Sequence, residues 1–145
     1  MPDALSFMPA LNISASGLDA QARRMEIIAS NVANAGATTG PDGKPFRRRE
    51  AVFSAQLQQA LGQGGARREL AGVRIERIAL DKRPPKQVYR PGHPHANADG
   101  YVSMPNVNTV EEMVDMMSAS RAYEANLAAI KIAKNMAQQA LGISK

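Results

Sequence analysis

Two long stretches, one near each end of the sequence, carry apolar residues at the spacing of an amphipathic helix. In the C-terminal stretch, 109–141, apolar positions recur in alternating steps of three and four residues, which is typical of a helix that packs on another helix. Ser120 and Lys134 are the polar residues in this series. The predicted C-terminal interface consists of Val110, Met113, Met116, Met117, Tyr123, Leu127, Ile130, Ala137 and Leu141.

The ends of this helix carry their own signals. Thr109 and Glu112 have the Thr-x-x-Glu spacing of a capping box, in which each side chain bonds the backbone amide of the other residue. Gly142 follows the last apolar position and is predicted to end the helix. At a rise of ~1.5 Å per residue the helix would be roughly 48 Å long. A chain of this size cannot cover that length by itself, so we expect another molecule to cover part of it.

The N-terminal stretch, 10–34, has a strict four-three alternation in which one position is always large and the other is always alanine. Alanine at every second position lets two helix backbones approach closely. We call these positions the N-terminal seam: Leu11, Ala15, Leu18, Ala22, Met25, Ala29 and Val32. The opposite face is predicted to meet solvent through Asp19, Gln21, Arg23, Arg24 and Glu26.

Short extended segments separated by Gly and Pro lie between the two helices. Segments 46–53, 73–80, 88–89 and 101–104 are predicted strands, while 54–61 could be strand or helix. The predicted fold is therefore mainly α with a small β-rich insert, and its two long helices pack as an antiparallel coiled-coil-like pair. This divides the chain into an N-terminal helix (1–36), an insert (37–106) and a C-terminal helix (107–145).

The composition favours helix packing over a large globular core. The 145 residues include 4% aromatics and no Trp, and they include no Cys that could form a disulfide or act as a nucleophile. The sequence also has no apolar run of 18 residues and no leader in which charged residues precede apolar ones. We therefore expect neither a membrane span nor a cleaved signal peptide.

The formal charge of +5 comes from basic clusters in the middle of the chain, at 47–49, 67–68 and 82–86. Binding of single-stranded nucleic acid uses stacking aromatics, and only Phe46 and Phe53 lie near the first cluster. No helix-turn-helix or zinc signature accompanies it. A solvated face or an acidic protein partner therefore fits these clusters better than nucleic acid does.

Candidate chemical sites are few. Gly43-Lys44 does not make a phosphate-binding loop, because Pro45 stands where Ser or Thr is needed. His93 and His95 with Asp99 could offer metal ligands, but two histidines in a turn hold a metal poorly and no further strong ligand has a suitable spacing. We predict no catalytic site, no metal and no cofactor.

Several motifs resemble the flagellar rod and hook proteins. The match covers roughly 10–61 and 86–145, and 62–85 carries none of it. The N-terminal motifs are Ser16-Gly17-Leu18-x-Ala20, the segment 28–34 and Thr39-Gly40. The C-terminal motifs are 88–96, 100–108, 110–113 and 121–126, which are similar to a proximal-rod member of this family. Asn31 and Asn34 lie in the N-terminal motif and are added to the predicted assembly interface.

The resemblance implies a non-enzymatic axial subunit. Such subunits pass through the flagellar type III export apparatus and stack helically into a periplasmic rod that transmits motor torque. The implied partners are other copies of the chain, the neighbouring rod proteins FlgB, FlgF and FlgG, with FliE as a further neighbour, and the export apparatus; no nucleic acid or small-molecule substrate is implied. Helices with more apolar surface than the chain can cover fit a filament.

Two other functions remain open on the sequence alone. A soluble helical-hairpin adaptor would be a folded oligomer without rod proteins. A basic nucleic-acid-binding module would lose affinity steeply with salt. A filament subunit would instead need its neighbours to order its ends.

Overall fold

The structure is a computed structural model that describes residues 7–40, 42–62 and 65–143, with side chains except at 7–10, 57–62, 65–71, 141 and 143. Two long helices flank a β region made of two small two-stranded sheets, as the sequence predicts. The elements are α1 (Phe7–Ala33), β1 (Arg49–Gly62), β2 (Gly65–Leu80), β3 (Lys86–Tyr89), β4 (Tyr101–Met104) and α2 (Thr109–Ile143).

Both helices are somewhat longer than the apolar pattern predicts. Helix α1 is described over 27 residues, Phe7–Ala33, and includes Pro9. Helix α2 has 35 residues and is about 52 Å long at ~1.5 Å per residue. The predicted stop at Gly142 is wrong, because the helix continues to Ile143 and Gly142 keeps a negative φ. A glycine in a final turn costs only about 1 kcal/mol relative to alanine.

The first sheet pairs β1 with β2, so 54–61, which the sequence left open between strand and helix, is strand. In the second sheet β3 and β4 are antiparallel, with Val88 opposite Val102 and Tyr89 opposite Tyr101. The rings of Tyr89 and Tyr101 meet edge to face at 5.3 Å. Gly100 precedes β4 with φ +81°, and a Cβ there would lie 2.9 Å from Tyr89 Cε2, so the turn requires glycine.

The chain forms two compact units, each of which takes part of both helices. The first unit contains α1 up to Arg23, the hairpin segment Val52–Arg77 and α2 from Ala119 onward. The second unit contains Arg24–Ala51 and Ile78–Ser118. The division predicted from the sequence, with boundaries at 36 and 107, follows the order of the elements. The two compact units divide the chain differently, because each helix packs on different neighbours along its length.

Small side chains bring the helices together in the first unit. Ala20 and Ala119 are buried there, and a Cβ at Gly17 would lie 3.0 Å from Asn126 Nδ2. The hairpin is held against α1 by Ser16, whose hydroxyl accepts a hydrogen bond from Val73 N at 3.0 Å and donates one to Ile13 O at 2.7 Å. The close approach of α1 to α2 and to β2 therefore depends on small residues.

The second unit has a core that is partly polar. Its described buried apolar residues include Ile28, Val102, Pro105 and Val107, and Asn31 and Glu112 are buried with them. Within this unit the helices run in opposite directions, since Arg24 pairs with Asp115 while the later Asn31 pairs with the earlier Glu112. The antiparallel direction predicted for the helices therefore holds in this unit.

Candidate assembly surfaces

A buried polar cluster joins both helices to the start of β1. The Nδ2 group of Asn31 donates to Glu112 Oε2 at 2.9 Å and to Arg49 O at 2.8 Å, while Asn31 Oδ1 accepts from Arg49 N at 2.9 Å. The other carboxylate oxygen, Glu112 Oε1, accepts from Arg48 Nε at 2.5 Å. Asn31 and Glu112 are each 1% exposed, so these bonds replace water almost completely. We refer to Asn31, Arg48 and Glu112 as the polar cluster.

Acidic neighbours keep the arginine of the polar cluster charged. Partial burial works to lower the pKa of Arg48, but the hydrogen bond and charge of Glu112, together with Glu50 at 3.8 Å and Asp115 at 3.6 Å, raise it overall. A second arginine, Arg24, also reaches Asp115 at 3.2 Å. A buried charge that loses its partner is strongly destabilising. The polar cluster therefore fixes the end of α1, the start of β1 and the start of α2 relative to one another.

The capping box predicted at the start of α2 does not form. The cap is Asn108, one residue earlier, whose Oδ1 accepts a hydrogen bond from Val110 N at 3.1 Å. The carboxylate of Glu112 points to Asn31 and Arg48, while its own amide donates to Asn108 O at 3.0 Å. The reason lies in the tertiary structure. Leaving two buried donors without an acceptor would cost more free energy than leaving an exposed amide at the helix end to water.

The N-terminal seam lies at the boundary between the face of α1 that its own chain covers and the solvent. Its large members Leu11, Leu18, Met25 and Val32 are half-buried, whereas Ala15 and Ala29 are exposed and Ala22 is half-buried. The face that packs on the rest of the chain is one residue position, or about 100°, away. It carries Gly17, Ala20, Arg24, Ile28 and Asn31. Much of the seam, its alanines above all, is therefore left uncovered by this chain.

The polar face predicted for α1 is only partly correct. Asp19, Arg23 and Glu26 are exposed, and Arg23 Nε lies 3.2 Å from Asp19 Oδ2. Arg24 faces inward, where its long stem packs and its charge reaches Asp115. Gln21 also faces inward, and its Oε1 is buried with no hydrogen-bond partner among the described residues.

Helix α2 has two apolar faces, which the heptad pattern had merged into one. The inner face carries Ala119, which is buried, and the half-buried Met116, Tyr123, Leu127, Ile130 and Ala137. The opposite face carries large apolar residues that are 54–67% exposed. We call this set the outer stripe: Val110, Met113, Val114 and Met117. Three of the four belong to the predicted interface and Val114 extends it, while the side chain of Leu141 lies outside the described residues.

The two asparagines assigned to the assembly interface have partners within their own chain. Asn31 belongs to the polar cluster. Asn34 is half-buried and its Nδ2 donates to Ser30 O at 2.8 Å, a second hydrogen bond to a carbonyl that already accepts the Asn34 amide at 3.1 Å. Intramolecular hydrogen bonding thus gives both residues a role in positioning the helix ends.

The histidines tie two loops together. The ring nitrogen His95 Nδ1 lies 2.9 Å from both Thr38 Oγ1 and Thr39 Oγ1, in the loop after α1. His93 Nδ1 accepts a hydrogen bond from His95 N at 3.1 Å. Among the residues that the structure describes, no group of three His, Asp or Glu side chains could hold a metal ion.

The three arginines at 47–49 have separate intramolecular partners. Arg48 belongs to the polar cluster, Arg47 donates to Asp81 O, and the guanidinium of Arg49 lies 5.5 Å from the centre of the Phe46 ring. A nucleic-acid contact through Arg48 would compete with its ion pair to Glu112.

Comparison with known proteins identifies the class to which these helices belong. A family model described as "Flagella basal body rod protein" matches residues 11–41, and one described as "Flagellar basal body rod FlgEFG protein C-terminal" matches residues 98–143. These two matches fall on α1 and α2, the elements that carry the N-terminal seam and the outer stripe. The chain is a structural subunit of the flagellar basal-body rod.

Curated relatives narrow the class further. The chain is 41% identical to the flagellar basal-body rod protein FlgC of Salmonella typhimurium over 97% of this chain and all of the relative. It is 40% identical to FlgC of Borreliella burgdorferi, covering 96% of this chain and 98% of the relative, and 40% identical to FlgC of Bacillus subtilis, covering 93% and 96%. The chain belongs to the FlgC family, and its place is the flagellar basal body. No helix in the described ranges is long and apolar enough to cross a membrane.

Proposed function

We propose that the chain forms part of the proximal rod, where it stacks helically with copies of itself and with related rod proteins and transmits motor torque across the periplasm. The observation that carries this proposal is the outer stripe, four large apolar side chains on consecutive turns of α2 that the chain leaves exposed. A helix that is apolar on two opposite sides is typical of a buried environment. Neighbouring subunits would supply the cover.

The N-terminal seam and the outer stripe are different surfaces on different helices. When one patch of a subunit binds a different patch on the next subunit, the contact does not close on itself and generates a helical array. We infer that the alanines of the seam accept large side chains of a neighbouring helix in a coiled-coil-like contact. The seam residues Ala15 and Ala29, which are exposed, leave room for such close packing.

Torque transmission requires that a load on one helix reach the rest of the subunit without slippage. The polar cluster provides such a link, because the Asn31 side chain bonds Glu112 on α2 and both backbone groups of Arg49 at the start of β1. We propose that it keeps the helix ends and the insert in one register under load. On this proposal the subunit has no catalytic role.

The proposed neighbours are other copies of the chain, FlgB, FlgF, FlgG and FliE. We further propose that the chain reaches the periplasm through the flagellar type III export apparatus. The matches of α1 and α2 to rod-protein family models support a shared assembly mode with other rod proteins.

Purified basal bodies test the proposal. An epitope-tagged chain expressed in place of the native copy should co-purify with rods and complement the loss of motility in a strain that lacks the gene. Deletion of the gene should stop rod assembly while the export apparatus remains in the membrane. A chain that complements motility but is absent from washed basal bodies would contradict a rod location.

A further inference from the structure

A basic cavity of about 280 Å³ lies in the second unit, and its described lining includes no residue of the N-terminal seam or the outer stripe. Its walls come from the segments 44–48 and 81–85, with Asn106 beside them. Phe46 and three prolines supply the apolar part of the lining. Among the described residues, the cations on the walls are Lys44, Arg47, Arg48, Lys82 and Arg83, and the one carboxylate is that of Asp81.

The carboxylate of Asp81 in the lining and the carboxylate paired with Arg48 are already engaged. Asp81 Oδ2 accepts two hydrogen bonds from the guanidinium of Arg83, at 2.8 and 2.6 Å, and Asp81 Oδ1 accepts Arg83 N at 2.9 Å. Arg48 is paired with Glu112. Within the described part of the chain, Lys44, Arg47 and Lys82 have no carboxylate within salt-bridge distance.

Arg47 is held in place without being neutralised. Its Nε and Nη2 donate to the carbonyl oxygen of Asp81 at 3.1 and 2.6 Å, and a carbonyl carries no net charge. The remaining N–H groups of the guanidinium stay available to an acceptor. Because the side chain is already ordered, an incoming carboxylate would not have to immobilise it, and an ordered guanidinium fork matches a carboxylate well.

We propose that this basic cavity binds a carboxylate side chain in an acidic segment of a neighbouring protein in the rod. The partner class rests on the proposed function, which makes the neighbours proteins. The cavity volume suits one or two side chains, and the phenylalanine and prolines suit the apolar residues beside an acidic one. A nucleic-acid strand would need a longer basic track and several stacking aromatics, whereas Phe46 is the only aromatic among the described residues of the lining.

Binding of a synthetic glutamate decapeptide to the full chain tests the chemistry of the site. The peptide should shift the NMR resonance of the Arg47 Nε–H group and bind at least about tenfold more weakly to Lys82→Gln and to Arg47→Gln, since each removes a charge-assisted contact. The control Lys86→Gln removes an exposed cation outside the cavity and should bind like the wild type. Unchanged affinity in Lys82→Gln and Arg47→Gln, or equal binding of a thymidine decanucleotide, would overturn the proposal.

Zero-length cross-linking tests the same site in assembled rods. A carbodiimide activates a carboxylate, which then forms an amide with a lysine amine in contact with it. We expect cross-linked peptides that join Lys44 or Lys82 to an Asp or Glu of another subunit, and their loss in a Lys44→Gln/Lys82→Gln double variant. If intact basal bodies contain the chain but give cross-links only at other lysines, the cavity proposal fails while the proposed rod function stands. Absence of the wild-type chain from basal bodies would instead overturn the proposed function.

Discussion

Glu112 is a buried carboxylate that bonds both Asn31 and Arg48 in the second unit. Replacing it by alanine removes the acceptor of Arg48 Nε and of one Asn31 N–H, and leaves a largely buried guanidinium without its closest partner. We expect the free energy of unfolding to fall by about 3 kcal/mol. Urea denaturation measures this decrease, and hydrogen exchange at the amide of the buried residue Val102 measures it within the second unit. The control is Glu111→Ala, at an exposed position on the same turn, whose free energy of unfolding should stay within about 0.5 kcal/mol of the wild-type value. Equal free energies of unfolding for the two variants would contradict the role of the polar cluster.

Asp81 gives a prediction about pH. The side-chain hydrogen bond from Arg83, together with the bond from the Arg83 amide, lowers the pKa of Asp81 below its ordinary value of 3.8. A lowered pKa means that the ion pair contributes to stability above the unfolded-state pKa and that this contribution disappears as the pH falls through the folded-state pKa. We therefore expect the turn at 81–83 to loosen only in acid below about pH 4.

An NMR titration checks this, because the carboxyl carbon of Asp81 should titrate with a midpoint below 3.8. In Arg83→Gln the midpoint should rise, since both hydrogen bonds from the guanidinium are gone. A midpoint that stays the same in the variant would show that Arg83 does not hold this carboxylate in solution.

At the residue scale, the sequence predicts which residues matter better than it predicts their partners. Thr109 and Glu112 have a correct capping-box spacing, and the helix does begin there, but Glu112 bonds to Asn31 and Arg48 from 81 and 64 positions away. A local pattern cannot distinguish a capping carboxylate from a buried one. The run of three arginines at 47–49 was a signal that such a carboxylate partner is needed, because a buried arginine requires a carboxylate to pair with its charge.

At the scale of elements, the contact between the hairpin and α1 depends on Gly72. This residue is buried with φ +148°, and a Cβ would collide with Ser16 Oγ and lie 2.9 Å from Ser16 Cβ. Gly72→Ala should therefore weaken the hydrogen bond from Val73 N to Ser16 Oγ and destabilise the first unit by roughly 1–3 kcal/mol. Exchange of the Val73 amide with solvent measures it. Gly36→Ala, at a glycine with open space around it, is the matched control and should leave that exchange unchanged.

The helices and strands show where the hydrophobic pattern is informative. It predicted both long helices and the extended segments of the insert, because a 3.6-residue and a two-residue period differ clearly over several turns. It misassigned faces, placing Gln21 and Arg24 in solvent and merging the two sides of α2. The pattern shows that an apolar position will be covered, but not whether the cover comes from its own chain. Only the folded chain separates Met116, which faces inward, from Met117, which faces outward.

At the scale of the whole molecule, the N-terminal seam makes a prediction about assembly. Ala22→Leu should block incorporation into rods while the amount of isolated protein stays nearly unchanged, because Leu is almost as good a helix former as Ala and the seam lies at the edge of the covered face. Overpacking a close helix contact costs about 1–3 kcal/mol at each subunit. Arg23→Leu, at an exposed neighbouring position, is the control. Wild-type motility of Ala22→Leu at matched expression would mean that α1 meets its neighbours through another face.

A charge placed on the outer stripe tests assembly separately from folding. The charge stays in water in the isolated chain and loses its water only when a neighbouring subunit covers it. Met117 is 54% exposed, so Met117→Glu should unfold at the wild-type urea concentration, within about 0.5 kcal/mol. In the rod the same carboxylate would be buried without a partner at every contact, which costs several kcal/mol and should prevent addition of subunits.

Two further variants make that result specific. Ser118→Glu adds the same charge one position away, on an exposed flank of α2, and should assemble. Met116→Glu places it on the inner face and should destabilise the isolated chain, so failure of that variant to assemble would follow from misfolding. Motility, basal-body incorporation and urea midpoints would be compared for the three variants. If Met117→Glu enters rods as the wild type does, the outer stripe faces solvent in the filament, and neighbouring subunits must be held through the N-terminal seam and the insert.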